Sequence, residues 1–322
     1  MDNNLIGISG KIGAGKDLVG QIIQYITTPE DSNEFTLEDY INDSSSYLYA
    51  GNKWTVKKFA DKLKDTVCLL IGCTRADLED REFKETPLGE EWWYYKIADN
   101  IILPRGYYPN QSDNDMCEER YLVKATPRLF LQLMGTEAGR KIIHPNVWVN
   151  SLFADYTPRP KGKAHTLEDW SELYVGGVCN NCGIDFSGYK RQPYCKKCTE
   201  DDSVQIYPNW LITDVRFPNE INAIKKNGGI TIRVNRPMSQ RFPELWEKHQ
   251  KEEGKFKNPE FFMAWIKDYD NEIYKKLMHA SEISVDKYKD WDYEIDNDGT
   301  IEDLQKKLEK ILNTSRIEKI KV

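Results

Sequence analysis

The chain has 322 residues, is 39% hydrophobic and carries a net charge of −7. That length fits one core domain with insertions rather than two large domains. The acidic balance argues against a general nucleic-acid binder, which needs clustered Lys and Arg against phosphate, and no apolar run reaches the roughly 20 residues that span a bilayer. No basic stretch followed by an apolar one opens the sequence, so no secretory leader is expected and the expected setting is the cytoplasm.

Leu5–Ser9 (LIGIS) is an apolar run leading into Gly10 and predicts a buried strand. Asp17–Ile26 predicts a helix with Leu18, Ile22, Ile23 and Ile26 on one face. Pro29–Ser46 is acidic and polar and predicts a loop. Trp54–Ala60 predicts a strand, and Asp61–Gly72 a helix stopped by its glycine. Residues 85–120 are rich in Trp, Tyr, Pro and Asn without a period, and no element is assigned there. Thr126–Lys141 reads as a capped helix, with Thr126 as N-cap and Pro127 in the first turn, and Asn146–Tyr156 continues helically.

Thr157–His165 is basic and proline-rich like a linker, and a cysteine module follows at 174–200. Trp210–Asp214 predicts a second buried strand, Asn219–Gly229 a helix with a glycine stop, and Ile230–Val234 a third strand. This strand–helix–strand order implies a parallel sheet. Residues 238–280 are charged, aromatic and predicted helical. Asp292–Asp296 predicts a last strand and Thr300–Leu312 a closing amphipathic helix.

From Gly10 the chain reads GKIGAGKD, against G-x-x-x-x-G-K-[ST] for a phosphate-binding loop. Gly10, Gly13 and Gly15 let backbone N–H groups turn inward around a phosphate without Cβ clashes. Together with Ala14, Lys16 and Asp17 they make the candidate nucleotide-binding loop. The following helix points its positive end at the same place, and Lys16 would reach the β- and γ-phosphates. Asp17 stands where a hydroxyl normally binds Mg²⁺; a carboxylate can still hold that ion, directly or through water. A chance glycine-rich turn is the alternative reading, and the strand–loop–helix context weighs against it. Asp214 ends an apolar strand as a Walker B aspartate does, in a position to hold Mg²⁺. A strand-end turn aspartate is the plain alternative.

Cys179 and Cys182 form one C-x-x-C pair and Cys195 and Cys198 another, twelve residues apart. Four thiolates at this spacing suit one tetrahedral, structural Zn²⁺ with no open position for catalysis. A redox dithiol and an iron–sulfur site are competing readings. The metal would fold an insertion too small for its own core; contact with protein or nucleic acid is the other use of a locally basic ribbon. Cys68, Cys73 and Cys117 read as ordinary buried or loop cysteines.

GKIGAGKD, FADKLKD, TPRLFLQLMGTEAGR, WLITDVRFPNE and DYEIDNDGTIEDL, in this order, resemble the phage-type deoxynucleoside monophosphate kinases. The resemblance covers about half the chain and omits residues 29–53, 85–120, 157–204 and most of 238–278. In that family the loop lysine is also followed by Asp, so the resemblance implies that GKD is a variant of the loop. The family usually has Thr next, where this chain has Leu18. If that threonine is a Mg²⁺ ligand, Asp17 and Asp214 carry more of the role here.

The implied fold is an α/β P-loop NTPase, a parallel sheet flanked by helices with an inserted Cys₄ zinc ribbon. Residues 1–156 and 205–322 would form the kinase core around a ribbon at 157–204, with a lid-like segment at 236–280. The implied reaction is ATP + dNMP → ADP + dNDP. Lys16, Asp17, Asp214 and Arg216 are its expected catalytic residues. Arg128, Arg140 and Arg216 are the candidates to bind the acceptor phosphate as guanidinium forks, with a surface ion pair as the plain reading of each. Gln132, one turn after Arg128, is a candidate for a base edge, and Glu137 for orienting an arginine or touching the sugar. Arg236 and Arg241 are lid candidates. His279, Ser281 and Glu282 also resemble a family motif, with no role implied.

The expected partners are ATP and a dNMP, with Mg²⁺ and Zn²⁺ as ions. A homodimer is left open, and neither a membrane nor nucleic acid is expected; a phage-encoded chain would work in the host cytoplasm. A small-molecule kinase resembling dephospho-CoA kinase is one alternative. A zinc-ribbon binding module using the loop as a switch is the other.

Overall fold

The computed structural model describes residues 4–28, 36–42, 54–97, 101–104, 120–157, 207–252 and 258–314. The chain divides into two compact units, residues 59–152 and the remainder on either side of them.

The larger unit is built on five parallel strands. In chain order these are β1 (Leu5–Gly10), β2 (Thr55–Lys57), β6 (Trp210–Val215), β7 (Ile230–Asn235) and β8 (Tyr293–Asp296). Their order across the sheet is β2-β6-β1-β7-β8. β1 therefore lies at the centre, with Ile6 opposite Leu211 on one side and Ile230 on the other. All six β1 residues are buried, as a strand covered on both faces requires. The pleat sends Ile6 and Ile8 to one face, where they join Val19, Ile22 and Ile23 of α1 (Lys16–Ile26) and Leu304, Leu308 and Leu312 of the closing helix (Ile301–Thr314). The opposite face meets the helix Pro218–Lys226, whose Ile221 and Ile224 are fully buried. A Cβ on Gly7 would lie 2.4 Å from the Ile224 side chain, so any other residue there would push that side chain aside.

Between β7 and β8 the chain forms the helices Met238–Arg241, Pro243–Glu252, Pro259–Tyr269, Asn271–Leu277 and Ala280–Ile283. Their own core is Phe262, Ile266 and Leu277, with Trp246 and Trp265 packed against it. The predicted helical segment is thus several short helices.

The second unit holds α3 (Ala60–Ile71), which stops at Gly72 with φ 70°, and the short helices Arg75–Glu79 and Arg81–Glu85. The unassigned aromatic stretch forms an antiparallel sheet of β3 (Tyr94–Ile97), β4 (Ile101–Pro104) and β5 (Arg120–Val123), in the order β4-β3-β5. Pro127–Gln132 is helical with Thr126 as its cap, accepting the Leu129 N–H at 3.2 Å. The expected α-helix then widens into a π-helix over Leu133–Ile143. Gly135 and Gly139 lie there against Trp148, whose indole N–H donates to the Gly135 carbonyl at 2.9 Å.

The loop expected at 29–46 contains a short helix, Leu37–Asn42, anchored by buried Tyr40, whose ring lies tilted against that of Tyr25 at 5.6 Å between centroids. Among the described residues no helix is long and apolar enough to cross a membrane. The linker at 157–165 (apart from residue 157) and the cysteine module, with Cys179, Cys182, Cys195 and Cys198, lie outside the described residues.

Core and surface should separate cleanly under mutation. Ile22 is fully buried, and Ile22→Ala should cost about 3 kcal/mol. Leu69 is 86% exposed, and Leu69→Ala should change stability by less than about 0.5 kcal/mol. Urea midpoints of the two variants against wild type check this; equal losses would contradict the core assigned here.

Candidate functional site

The C-terminal end of β1 runs into the glycine loop, residues 10–15, and then into α1. Gly13 and Gly15 have φ 74° and 90°, backbone that L side chains avoid. At Gly15 space is also short, because a Cβ would lie 2.5 Å from Asn297 Nδ2. That amide donates to the Ala14 carbonyl at 3.0 Å, tying the loop to the end of β8. Among the described residues no side chain caps α1. Its first N–H groups therefore have neither an intrahelical partner nor a cap, the arrangement that binds anions.

The loop is held from outside through its own backbone. Lys16 Nζ donates to the Lys11 carbonyl at 3.1 Å. The Ile12 N–H donates to Glu282 Oε2 at 2.7 Å, and the Ile12 carbonyl accepts from Arg241 Nε at 2.7 Å. Lys11 Nζ pairs with Asp286 at 2.7 Å. Arg216 Nη1 pairs with Glu282 Oε1 at 2.5 Å and donates to Ser281 Oγ at 3.1 Å. On the strand beside β1, Arg233 donates to buried Ser9 Oγ at 3.0 Å and meets Asp286 at 3.5 Å. His279 caps the helix that carries Glu282, accepting the Ser281 N–H at 3.3 Å.

These cations are close enough to perturb one another. Burial, then the Arg216 charge, lowers Lys16 to about 8, with Glu282 and Asp17 opposing. Burial likewise lowers Arg233 and Arg241, against the raising influence of Glu282 and Asp286.

Asp17 is exposed on the first turn of α1, where its Oδ1 accepts from Thr213 Oγ1 at 3.0 Å and pairs with Lys58 at 3.1 Å. Asp214, the next residue along β6, is half-buried at the same end of that strand. Among the described residues no three His, Cys, Asp or Glu side chains gather as a metal nest. Mg²⁺ accompanying a nucleotide needs less, one or two carboxylates with phosphate oxygens and water. The Asp17 carboxylate, already holding a cation in Lys58, fits that requirement.

The larger unit thus brings together Gly10, Gly13, Ala14, Gly15, Lys16, Asp17, Arg216 and Arg241. Arg236 is less engaged, at 3.4 Å from Gln240. The expected acceptor residues belong to the second unit. Arg128 pairs with Glu85 at 2.7 Å, Gln132 is exposed, Glu137 pairs with Lys141 at 2.7 Å, and Arg140 is half-buried on the π-helix. In the same unit Trp92, Trp93, Tyr94, Leu129, Phe130 and Leu133 line a cavity of about 230 Å³.

Sequence reasoning passed over Lys58, Thr213, Arg233, Asp286 and Asn297, and left Glu282 without a role. Arg233 carried a signal, a charge inside the apolar run ITIRV, since buried charges need partners. Asp286 carried none, and Glu282 only its place beside His279 and Ser281, for their partners in the loop lie 275 and 270 residues away in sequence.

A scan of the sequence against protein-family models gives no match, and a search of curated proteins gives none.

With Lys16 lowered to about 8, its charge is present below that pH and lost above it. A polyphosphate held by Lys16 should therefore bind more weakly as pH rises through about 8. Calorimetric titrations between pH 7 and 9.5 check this, and Lys16→Arg should abolish the break because arginine stays charged.

Proposed function

We propose that the chain is a deoxynucleoside monophosphate kinase that moves the γ-phosphoryl group of ATP to a dNMP. The observation that carries this reading is the N-terminus of α1, without a side-chain cap among the described residues, behind two positive-φ glycines and beside Lys16, Arg216 and Arg241. In an acidic chain such a concentration of cations around open N–H groups calls for a polyanion. The strand order adds support. In open parallel sheets ligands bind beyond the carboxyl ends of the strands, where the connections diverge to both sides, and β1 has such a place.

In this reading the loop and Lys16 hold the ATP phosphates, and Arg216 and Arg241 offset charge on the transferred group. Asp17 and Asp214 would hold Mg²⁺, which when bound supplies further offset of phosphate charge. Transfer forms a bond between the γ-phosphorus and an acceptor phosphate oxygen as the bond to the β-bridging oxygen breaks. Arg128 and Arg140 are proposed to bind the acceptor phosphate, with Gln132 and Glu137 toward base and sugar. Arg128 can do so by exchanging Glu85 for a phosphate, a stronger dianionic partner. The helices from Met238 to Leu277, with Arg236 and Arg241 at their start, are proposed as the lid. The P-loop NTPase class, the Zn²⁺ ribbon on the four cysteines and a cytoplasmic setting complete the proposal.

Two measurements test it. Purified protein with ATP and Mg²⁺ should form a diphosphate from one or more dNMPs, and Lys16→Ala should lower turnover about 100- to 1,000-fold. No turnover with any deoxy- or ribonucleoside monophosphate would sink the kinase reading. Metal analysis should return one zinc per chain, falling sharply in Cys182→Ser.

A further inference from the structure

Glu282 is a buried carboxylate, with its side chain 5% exposed, that touches neither end of a reaction drawn so far. Its two oxygens have separate partners. Oε2 takes the Ile12 N–H at the outer turn of the glycine loop, and Oε1 takes Arg216 Nη1. One side chain thus joins the loop that begins the site to the arginine that follows β6. Its charge also acts on Lys16, Arg233 and Arg241.

Arg216 is held from three directions. Its backbone N–H donates to buried Glu220 at 2.7 Å, and Nη1 alone meets both Ser281 and Glu282. Its side chain is 35% exposed, and among the described residues Nε and Nη2 donate no hydrogen bond. A guanidinium fixed by one nitrogen presents its other edge in a set direction, the geometry that phosphate oxygens accept. Its charge is the largest influence on Lys16 after burial, so the guanidinium lies near the loop lysine.

We propose that Glu282 is a positioning residue of the phosphate site, fixing the outer turn of the glycine loop and aiming the free edge of Arg216 at a phosphate oxygen of ATP. This rests on the nucleotide reading of the loop. A carboxylate beside a phosphate also repels it, so Glu282 has two opposite effects on affinity. Orientation wins because the pair is already made in the free protein. Without it Arg216, a long side chain at a partly open position, must be ordered at every binding event.

The test is a double-mutant cycle on ATP affinity, by calorimetry in Mg²⁺ buffer, with wild type, Glu282→Gln, Arg216→Ala and the double variant. Glutamine keeps an acceptor for Ile12 and removes the charge that holds Arg216. Glu282→Gln should weaken ATP binding about tenfold, within the range of couplings between contacting residues. Its melting temperature should stay within a few degrees of wild type. The double variant should bind no worse than Arg216→Ala. Losses that multiply in the double variant would mean that Glu282 acts apart from Arg216 and would overturn the proposal. Tighter binding by Glu282→Gln would overturn it too, showing a competing anion instead. Wild-type protein that fails to bind ATP would overturn the phosphate site and this inference together. Binding with the predicted coupling, but without phosphoryl transfer, would uphold the inference and refute only the kinase reading.

Discussion

Cations held near one another and partly out of water repel, and the larger unit has to contain that repulsion at the mouth of its central strand. Arg216 and Arg241 lower Lys16, and Arg233 lowers Arg241. Lys16 is lowered to about 8, first by burial and then by the Arg216 charge. Two carboxylates four residues apart, Glu282 and Asp286, offset the repulsion. Each bridges a loop group and an arginine: Glu282 joins Ile12 and Arg216, and Asp286 joins Lys11 and Arg233. The segment 279–286 is therefore as much a part of the glycine loop's structure as the loop's own sequence. Because loop and counter-charges come from opposite ends of the chain, the site is complete only once β7 has joined the sheet beside β1 and β8 beside β7. Such long-range closure is slow compared with local helix formation.

The sheet explains why the cations meet there. β1 is flanked by β6 and β7, so the residues leaving the carboxyl ends of all three strands emerge side by side. Arg216 follows β6, Arg233 lies within β7 and Lys16 follows β1. The apolar faces that bury β1, Ile6 and Ile8 against α1 and Gly7 against Ile224, set the height at which the loop leaves the sheet. Core packing and site geometry are here the same constraint.

What the sequence made legible follows from how local its causes are. β1, α1, α3, β6, β7 and β8 announce themselves through short apolar runs, 3.6-residue periods and glycine or threonine caps, all set within a dozen residues. The loop motif is local too, so Lys16 and Asp17 could be named without a structure. The β3–β5 sheet has no such signal. Its aromatic strands alternate poorly, and β5 lies beyond residues 105–119, so its pairing depends on chain far away. The π-helical turn was missed because Trp148, which lies against Gly135 and Gly139, sits beyond the helix itself. The same holds for Glu282, Asp286 and Asn297, polar residues in weakly patterned segments whose loop partners are Ile12, Lys11 and Ala14.

Asp17 shows how a local departure from a motif can be absorbed. A serine or threonine at that position is neutral, whereas Asp17 adds a negative charge on the first turn of α1. The helix end welcomes it, yet it would also repel a bound polyphosphate. Lys58, at the end of β2, pairs with the carboxylate at 3.1 Å and returns the local charge toward that of a hydroxyl. Thr213 meanwhile donates a hydroxyl to the same oxygen from β6. The pair of Asp17 and Thr213 thus provides, on two elements, the carboxylate and hydroxyl oxygens that a hard cation prefers. In this chain the substitution at Asp17 cannot be judged from the loop alone, because its electrostatic consequence is decided by a lysine on one neighbouring strand and a threonine on another.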